Sequence, residues 1–245
     1  MSLLTVLVAV RNGEPHLQMA MKSVLAQTYR GFRFLIIDDA STDRTREVIC
    51  AYGDPRIELL SLERNIGQTA ALNLGLRHAS TPWIARMDAD DYSAPNRFEE
   101  QMRALDARPA VRCVGTFMWE FRDDPQVMEV IKSRPTDHDG IRRAALCGSG
   151  IIHGSIVIRR EAMLDVGAYD ERYRFASDRD MFIRFLDRYQ AMNIPKLLIG
   201  IRRHPKQDSF SLRAAEEYLE ICERLSSEAG RPPEELAILR ESLAF

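Results

Sequence analysis

The sequence predicts an α/β domain on a mainly parallel, doubly wound sheet, and three observations carry that prediction. The apolar run Leu3–Val10 reads as a strand covered on both faces, as in parallel sheets, Phe32–Ile37 reads as a second buried strand, and Pro82–Met87 reads as a further strand. Segments with helical spacing lie between them. Two of the strands end in carboxylates, at Asp38-Asp39 and at Asp88-Ala89-Asp90-Asp91. In open α/β sheets, ligands bind beyond the carboxyl ends of the strands.

The elements follow in order. After the first strand, Leu17, Ala20, Met21, Val24 and Leu25 step by three and four, which marks an amphipathic helix. Behind Asp38-Asp39, the residues Ser41, Thr42 and Asp43 are N-cap types for a helix reaching about Ala51. Ile57–Leu62 is a third strand, and Leu72, Leu74 and Leu76 belong to a helix from Gly67 to His78. A helix follows Pro95 as far as Ala107, then a strand over Val111–Phe121. Val127–Ser149 is polar and gives no clear pattern. Gly154–Arg159 and Ile194–Ile201 read as strands, with a helix from near Asp178 through Phe182, Phe185 and Leu186 between them. Two C-terminal helices, Ala214–Ser227 and Pro233–Leu243, flank Gly230-Arg231-Pro232-Pro233.

The chain has 245 residues, enough for one α/β domain with an appendage. Its net charge of -2 offers no field for nucleic acid. Cys50, Cys113, Cys147 and Cys222 have no CxxC spacing, so most are expected as core thiols in a reducing, cytoplasmic compartment. The apolar start is too short to span a bilayer and has no basic flank, so it reads as a strand and not as a signal peptide.

Each candidate site residue has a plain reading beside the functional one. Asp88, Asp90 and Asp91 form either a solvated turn or a hard-cation site. Mg²⁺ or Mn²⁺ takes one or two carboxylates and completes its shell with phosphate and water. Asp38 and Asp39 either cap a helix or bind a base or ribose. Asp178 and Asp180 either complement a helix dipole or supply a general base. His153 and His204 are structural, or act as acid–base groups. Arg202, Arg203 and His204 are surface charge, or clamp a phosphate.

Taken in order, these residues resemble glycosyltransferase family 2. Ser23-Val24-Leu25-Ala26-Gln27-Thr28-Tyr29 and Phe34-Leu35-Ile36-Ile37-Asp38-Asp39-Ala40-Ser41-Thr42-Asp43 are similar to its opening. Asn65-Ile66-Gly67 with Asn73-Leu74-Gly75 is similar to its next motif, and Met87-Asp88-Ala89-Asp90-Asp91 with Pro95 and Arg97 to its DxD motif. His153-Gly154-Ser155, Arg159 and Gly167-Ala168-Tyr169-Asp170 continue the match. Ser177-Asp178-Arg179-Asp180-Met181 with Arg184 resembles its ED-x-D-L segment, and Arg202-Arg203-His204 through Ser211 its closing signature. The resemblance spans residues 3 to 212.

The resemblance implies a GT-A fold, a Rossmann-like sheet flanked by helices, over residues 1–212, with 213–245 as a helical extension. It implies inverting transfer from a nucleotide-diphospho-sugar, commonly of UDP, to a glycan or lipid-linked acceptor in bacterial polysaccharide assembly. Asp178 would be the base. Asp39 would contact the nucleobase, Asp88 the ribose or metal, and Asp90 would be the main ligand of Mn²⁺ or Mg²⁺. Ala9, Arg11, Asn65, Gly67, Ala89, Arg202 and His204 would complete the donor site, with His153 and Ser177 toward the acceptor. There are departures: Ser177 stands where the family has Glu, and Arg11 where it has an aromatic. The Q-x-x-R-W motif and membrane helices of processive members are absent, which argues against a polymer synthase. A nucleotidyltransferase would want a Gly-rich basic loop after the first strand, and Ala9-Val10-Arg11-Asn12-Gly13-Glu14 is a poor one. A non-catalytic scaffold would be signalled by loss of the acidic cluster or the base, and both are present. The C-terminal helices are expected to cap the domain or make a homodimer contact, in preference to peripheral membrane association at the inner face, because Glu and Arg are mixed along them.

Overall fold

The computed structural model describes residues 3–148, 150–204, 212–228 and 232–243. The end of the closing signature at Ser211, the loop after His204 and Gly230-Arg231 lie outside the described residues.

The strands are β1 (Leu4–Val10), β2 (Phe32–Asp38), β3 (Ile57–Ser61), β4 (Trp83–Arg86), β5 (Tyr92–Ser93), β6 (Val111–Phe121), β7 (Val130–Lys132), β8 (Val157–Arg159) and β9 (Gln190–Arg202). The helices are α1 (Glu14–Leu25), α2 (Thr45–Cys50), α3 (Gln68–His78), α4 (Arg97–Ala107), α5 (His138–Ala145), α6 (Arg160–Asp165), α7 (Ser177–Leu186), α8 (Leu212–Ser227) and α9 (Pro233–Leu243).

The sheet runs β3-β2-β1-β4-β8-β6-β9-β5, with β7 on β6. Strands β3, β2, β1 and β4 are parallel, as are β6 and β9. Strand β8 is antiparallel between β4 and β6. The expected mainly parallel sheet is therefore present, with antiparallel insertions.

The β1 side chains explain why its sequence is apolar throughout. Leu4, Val6, Val8 and Val10 enter one core with Phe32, Phe34, Met21 and Phe98, under α1 and α4. Leu7 and Ala9 enter the other with Leu72, Met181, Phe185 and Ile221, under α3, α7 and α8. Both faces are covered, so the period-2 alternation of a half-exposed strand is lost.

Several expectations are corrected. Helix α2 begins at Thr45, and Arg44 at its N-cap makes no side-chain cap; Asp43 instead accepts from the Thr45 amide at 3.0 Å and the Glu14 amide at 3.2 Å, tying two loops together. Residues 153–155 form a 3-10 turn, leaving only Val157–Arg159 as strand. Strand β9 starts at Gln190, four residues before the expected Ile194, because its pairing to β6 recruits polar Gln190 and Asn193. Elements α5, α6, β5 and β7 carried no readable period; each has eight residues or fewer. Cys113 and Cys222 are buried, but Cys50 and Cys147 are exposed, against the expectation that most are core thiols.

Leu7 sits at the centre of the sheet, 2% exposed, with Gly75 of α3 against it. Leu7→Ala is expected to cost about 2–5 kcal/mol of stability, read from denaturant unfolding.

Candidate active site

The order β3-β2-β1-β4 reverses direction at β1, and the carboxyl ends of β1, β2 and β4 open there into a cleft of about 1600 Å³. Its floor includes Ala9, Arg11, Asn12 and Asp39 from the ends of β1 and β2. The wall after β4 brings Arg86, Asp88, Ala89 and Asp90. His153, Ser177 and Asp178 close it from the far side, and Arg203 and His204 from the end of β9.

The loops are stitched before any ligand is considered. The Asn12 amide donates to Ser41 Oγ at 2.9 Å, and Asn12 Oδ1 accepts from the Thr42 amide at 2.8 Å. Asn12 takes a left-handed backbone (φ 55°), which asparagine tolerates. Buried Asp38 accepts from the Ser41 amide at 3.1 Å and pairs with Arg46, so it serves as a loop anchor. Asp39 accepts from the Ile66 and Gly67 amides at 2.7 and 2.9 Å. Its carboxylate thereby holds the Asn65–Gly67 loop against the cleft. Gly67 has φ +87°, a conformation that penalises a side chain.

The acidic cluster divides into three environments. Arg86 forks Asp88, one guanidinium nitrogen to each oxygen, and Gln68 Nε2 donates to the same carboxylate at 3.2 Å. Asp90 Oδ2 meets His204 Nε2 at 3.0 Å, and among the described residues no side chain engages its Oδ1. Asp91 is buried; its Oδ1 accepts from the Arg202 amide at 3.1 Å, and its Oδ2 has no hydrogen-bond partner. Burial, then the charge of Asp88, raises the pKa of Asp90, against a lowering contact from His204. Burial and the charges of Asp88 and Asp90 raise Asp91 well above the ordinary range.

Among the described residues, no three His, Cys, Asp or Glu side chains converge as a ready metal site. The donor set still fits a hard divalent cation of the kind that takes one protein carboxylate and fills its shell with phosphate and water. Asp90 presents an oxygen that no described side chain engages, and burial and then the charge of Asp88 raise the proton affinity that a cation would relieve. Asp88 is less free, because both of its oxygens are engaged by Arg86.

Across the cleft, Asp178 lies in the first turn of α7 with Oδ1 accepting from the Arg179 amide at 2.8 Å. Its Oδ2 stands 3.9 Å from His153 Nδ1. Burial in the cleft raises the Asp178 pKa, the neighbouring Arg86 partly offsetting that rise. Burial and Arg86 push His153 well below its ordinary value, so the imidazole is neutral, with Nε2 2.6 Å from Tyr169 Oη. Ser177 Oγ receives the Thr69 hydroxyl at 3.3 Å.

The structure places the predicted residues unevenly. Ala9, Arg11, Asp39, Asn65, Gly67, Asp88, Ala89, Asp90, His153, Ser177, Asp178 and His204 all line the one cleft. Arg202 does not. Its guanidinium is buried, donating to the Asp90 carbonyl at 3.2 Å and to the Arg122 carbonyl, and Arg203 lines the cleft in its place. Sequence reasoning missed His16, which lines the cleft with its ring centroid 5.6 Å from that of His204. It also missed the structural work of Gln27, Arg86 and Arg97. Gln27 Nε2 donates to the Ala94 carbonyl at 2.7 Å and its Oε1 accepts from the Phe98 amide at 3.1 Å, fixing the chain that leaves the acidic cluster.

Comparison with known proteins agrees with this geometry. The family model described as Glycosyl transferase family 2 matches residues 5–167. The chain belongs to glycosyltransferase family 2. EpsE of Bacillus subtilis is 30% identical over 217 residues, covering 86% of this chain and 76% of EpsE. The amylovoran biosynthesis glycosyltransferase AmsE of Erwinia amylovora is 26% identical over 203 residues, covering 81% and 75%. Among solved structures, S. aureus TarS 1-349 in complex with UDP-GlcNAc superposes with TM-score 0.78 at 18% identity, covering all of this chain and 71% of that one. The mannosyltransferase PcManGT from Pyrobaculum calidifontis, in complex with GDP-Man and Mn²⁺, gives 0.75 at 21% identity, covering 98% and 69%. The fold of this transferase is GT-A. Among its described residues no helix is long and apolar enough to cross a membrane.

The cleft wall at Arg203 rests on Glu120, which Arg203 and Lys132 hold at a pKa of about 2. That stabilisation is complete above the unfolded value near 4.3 and is lost as pH falls toward 2. Glu120→Gln is therefore expected to be less stable than the wild type at pH 7, with the gap closing as pH falls, as measured by urea unfolding between pH 7 and 2.5.

Proposed function

We propose that the protein is an inverting, metal-dependent glycosyltransferase that moves a sugar from a UDP-sugar to a hydroxyl of a glycan or lipid-linked acceptor. The observation that carries this reading is the pairing of two carboxylate sites across one cleft. On the donor side, Asp90 offers an oxygen that no described side chain engages. Asp178 stands opposite, close enough for the charge of Asp88 to raise its proton affinity.

The donor half belongs to the sheet. Asp39 and the Asn65–Gly67 loop it holds form the base pocket, with Ala9 and Arg11 beside it. Arg203 and His204 face the diphosphate, and Arg11, which has no acidic partner among the described residues, lines the same cleft and adds to them. When bound at Asp90, Mn²⁺ or Mg²⁺ supplies Lewis-acid neutralisation of the leaving diphosphate. The GDP-Man and Mn²⁺ of PcManGT and the UDP-GlcNAc of TarS support that class of donor and metal.

The acceptor half belongs to α7. Asp178 takes the proton from the attacking hydroxyl, and its raised pKa makes it a stronger base than an exposed aspartate. Neutral His153 adds no charge of its own at 3.9 Å, so Asp178 is not held deprotonated by an ion pair. A single base opposite the leaving group suits a single displacement with inversion. The name of the amylovoran biosynthesis glycosyltransferase AmsE supports polysaccharide biosynthesis as the setting, in the cytoplasm, and at the inner membrane face when the acceptor is lipid-linked.

Asp178→Asn is expected to lower kcat by about 10²–10⁴-fold while UDP affinity stays within twofold. Transfer near the wild-type rate would remove the base assignment. Asp90→Ala should lose the Mn²⁺-dependent part of UDP affinity, measured by titration calorimetry with and without Mn²⁺. Protonated Asp178 cannot accept a proton, so wild-type kcat should fall on the acid side through an apparent pKa above the ordinary aspartate value of about 3.9. That limb should vanish in Asp178→Asn.

A further inference from the structure

Helix α8 lies beyond the segment matched by the family model, yet it reaches the active site through one side chain. Glu217 is buried, and its carboxylate accepts from three consecutive backbone amides. Arg174 N donates to Oε1 at 3.0 Å, and Phe175 N and Ala176 N donate to Oε2 at 2.7 and 2.9 Å. Successive amides aimed at one anion form a nest. The nest ends where α7 begins, so the carboxylate also complements the positive end of that helix. Helix α7 has no cap of its own, because Ala176 occupies its N-cap position.

The segment held in this way carries Arg174, Phe175, Ser177 and Asp178 into the cleft. Other contacts join the two helices. Arg224 pairs with Asp180 at 2.5 Å, Arg179 reaches the Cys222 sulfur at 3.3 Å, and Ile221 and Leu225 are buried with Phe182 and Phe185.

We propose that Glu217 is a positioning residue for glycosyl transfer. By holding the amides of Arg174, Phe175 and Ala176 it sets where the Asp178 carboxylate and the Arg174–Phe175 wall stand, and α8 is thereby part of the catalytic unit. The catalytic half of this inference rests on the reading of Asp178 as base; the hold on the three amides does not.

The test uses the full chain with Glu217→Ala, Glu217→Gln and Leu225→Ala. Leu225 is buried on the same helix and does not line the cleft, so it reports general loosening of α8. Three readouts are taken: hydrogen exchange of peptides spanning residues 172–180, release of UDP from UDP-GlcNAc with Mn²⁺, and Tm. Glu217→Ala is expected to exchange its 174–176 amides at least ~10-fold faster. It should lose about 10–100-fold in kcat, with KM for UDP-GlcNAc within twofold. Glu217→Gln keeps one acceptor oxygen and should fall between; it decides the matter if the alanine variant does not fold. Leu225→Ala should lower Tm while keeping kcat within about threefold below its unfolding range. Wild-type exchange and kcat in both Glu217 variants would overturn the proposal. So would a Leu225→Ala loss of kcat equal to that of Glu217→Ala, which would make α8 a general brace. If the wild type releases no UDP from this probe, the donor reading fails instead, and exchange at 174–176 still decides whether Glu217 holds the loop.

Discussion

Two buried guanidinium groups under the end of β4 make the rest of the site possible. Asp88, Asp90 and Asp91 lie within four residues, and burial, then the charges of their acidic neighbours, raises the pKa of the last two. Arg86 forks Asp88 from inside the sheet. Arg97 is wholly buried; its Nη2 donates to the Arg86 carbonyl at 2.8 Å and its charge acts on Asp91. Burial pulls the Arg97 pKa down to about 9, which still leaves the group charged at neutral pH. A buried charge is tolerated only when paired and hydrogen-bonded. Gln101 meets that condition on one side, accepting from Arg97 Nε at 3.1 Å while donating to the Val114 and Ser155 carbonyls.

This foundation gives the cleft two unlike sides. One side is built from strand ends whose loops are tied to one another, with Asn12, Asp39 and Asp43 each spanning two segments. Such a surface is held in place before a ligand arrives. The other side is built from a helix start and the segment before it, held by side chains from α3 and α8. Arg86 links the two, because it neutralises Asp88 while lowering the proton affinity of Asp178 and His153. The same guanidinium thus pairs with Asp88 and tempers the proton affinity of Asp178.

The misreadings share a physical origin. Helix α5, strand β7 and strand β5 are too short to show a period, and each exists because a neighbour pairs or caps it: Asp137 accepts from Gly140 N at 2.8 Å, β7 pairs with β6, and β5 with β9. The early start of β9 comes from the long partner β6, whose register skips Pro195 and Lys196 between Ile194 and Leu197. Arg202 followed the motif in sequence but not in space, since its side chain turned inward to the carbonyls of residues 90 and 122.

Sequence alone determined the longer strands, the order of the motifs and, Arg202 and His16 apart, the candidate residues found in the cleft. Those depend on apolar runs and on carboxylates at strand ends, which are local and visible in one dimension. Tertiary structure decided the environment of each residue: which carboxylate is forked, which meets a histidine, which histidine burial keeps neutral, and which distant glutamate holds the amides before α7. Those properties arise from burial and from partners such as Glu217 and Asp178, far apart in the chain and brought together only by packing, and no local pattern encodes them.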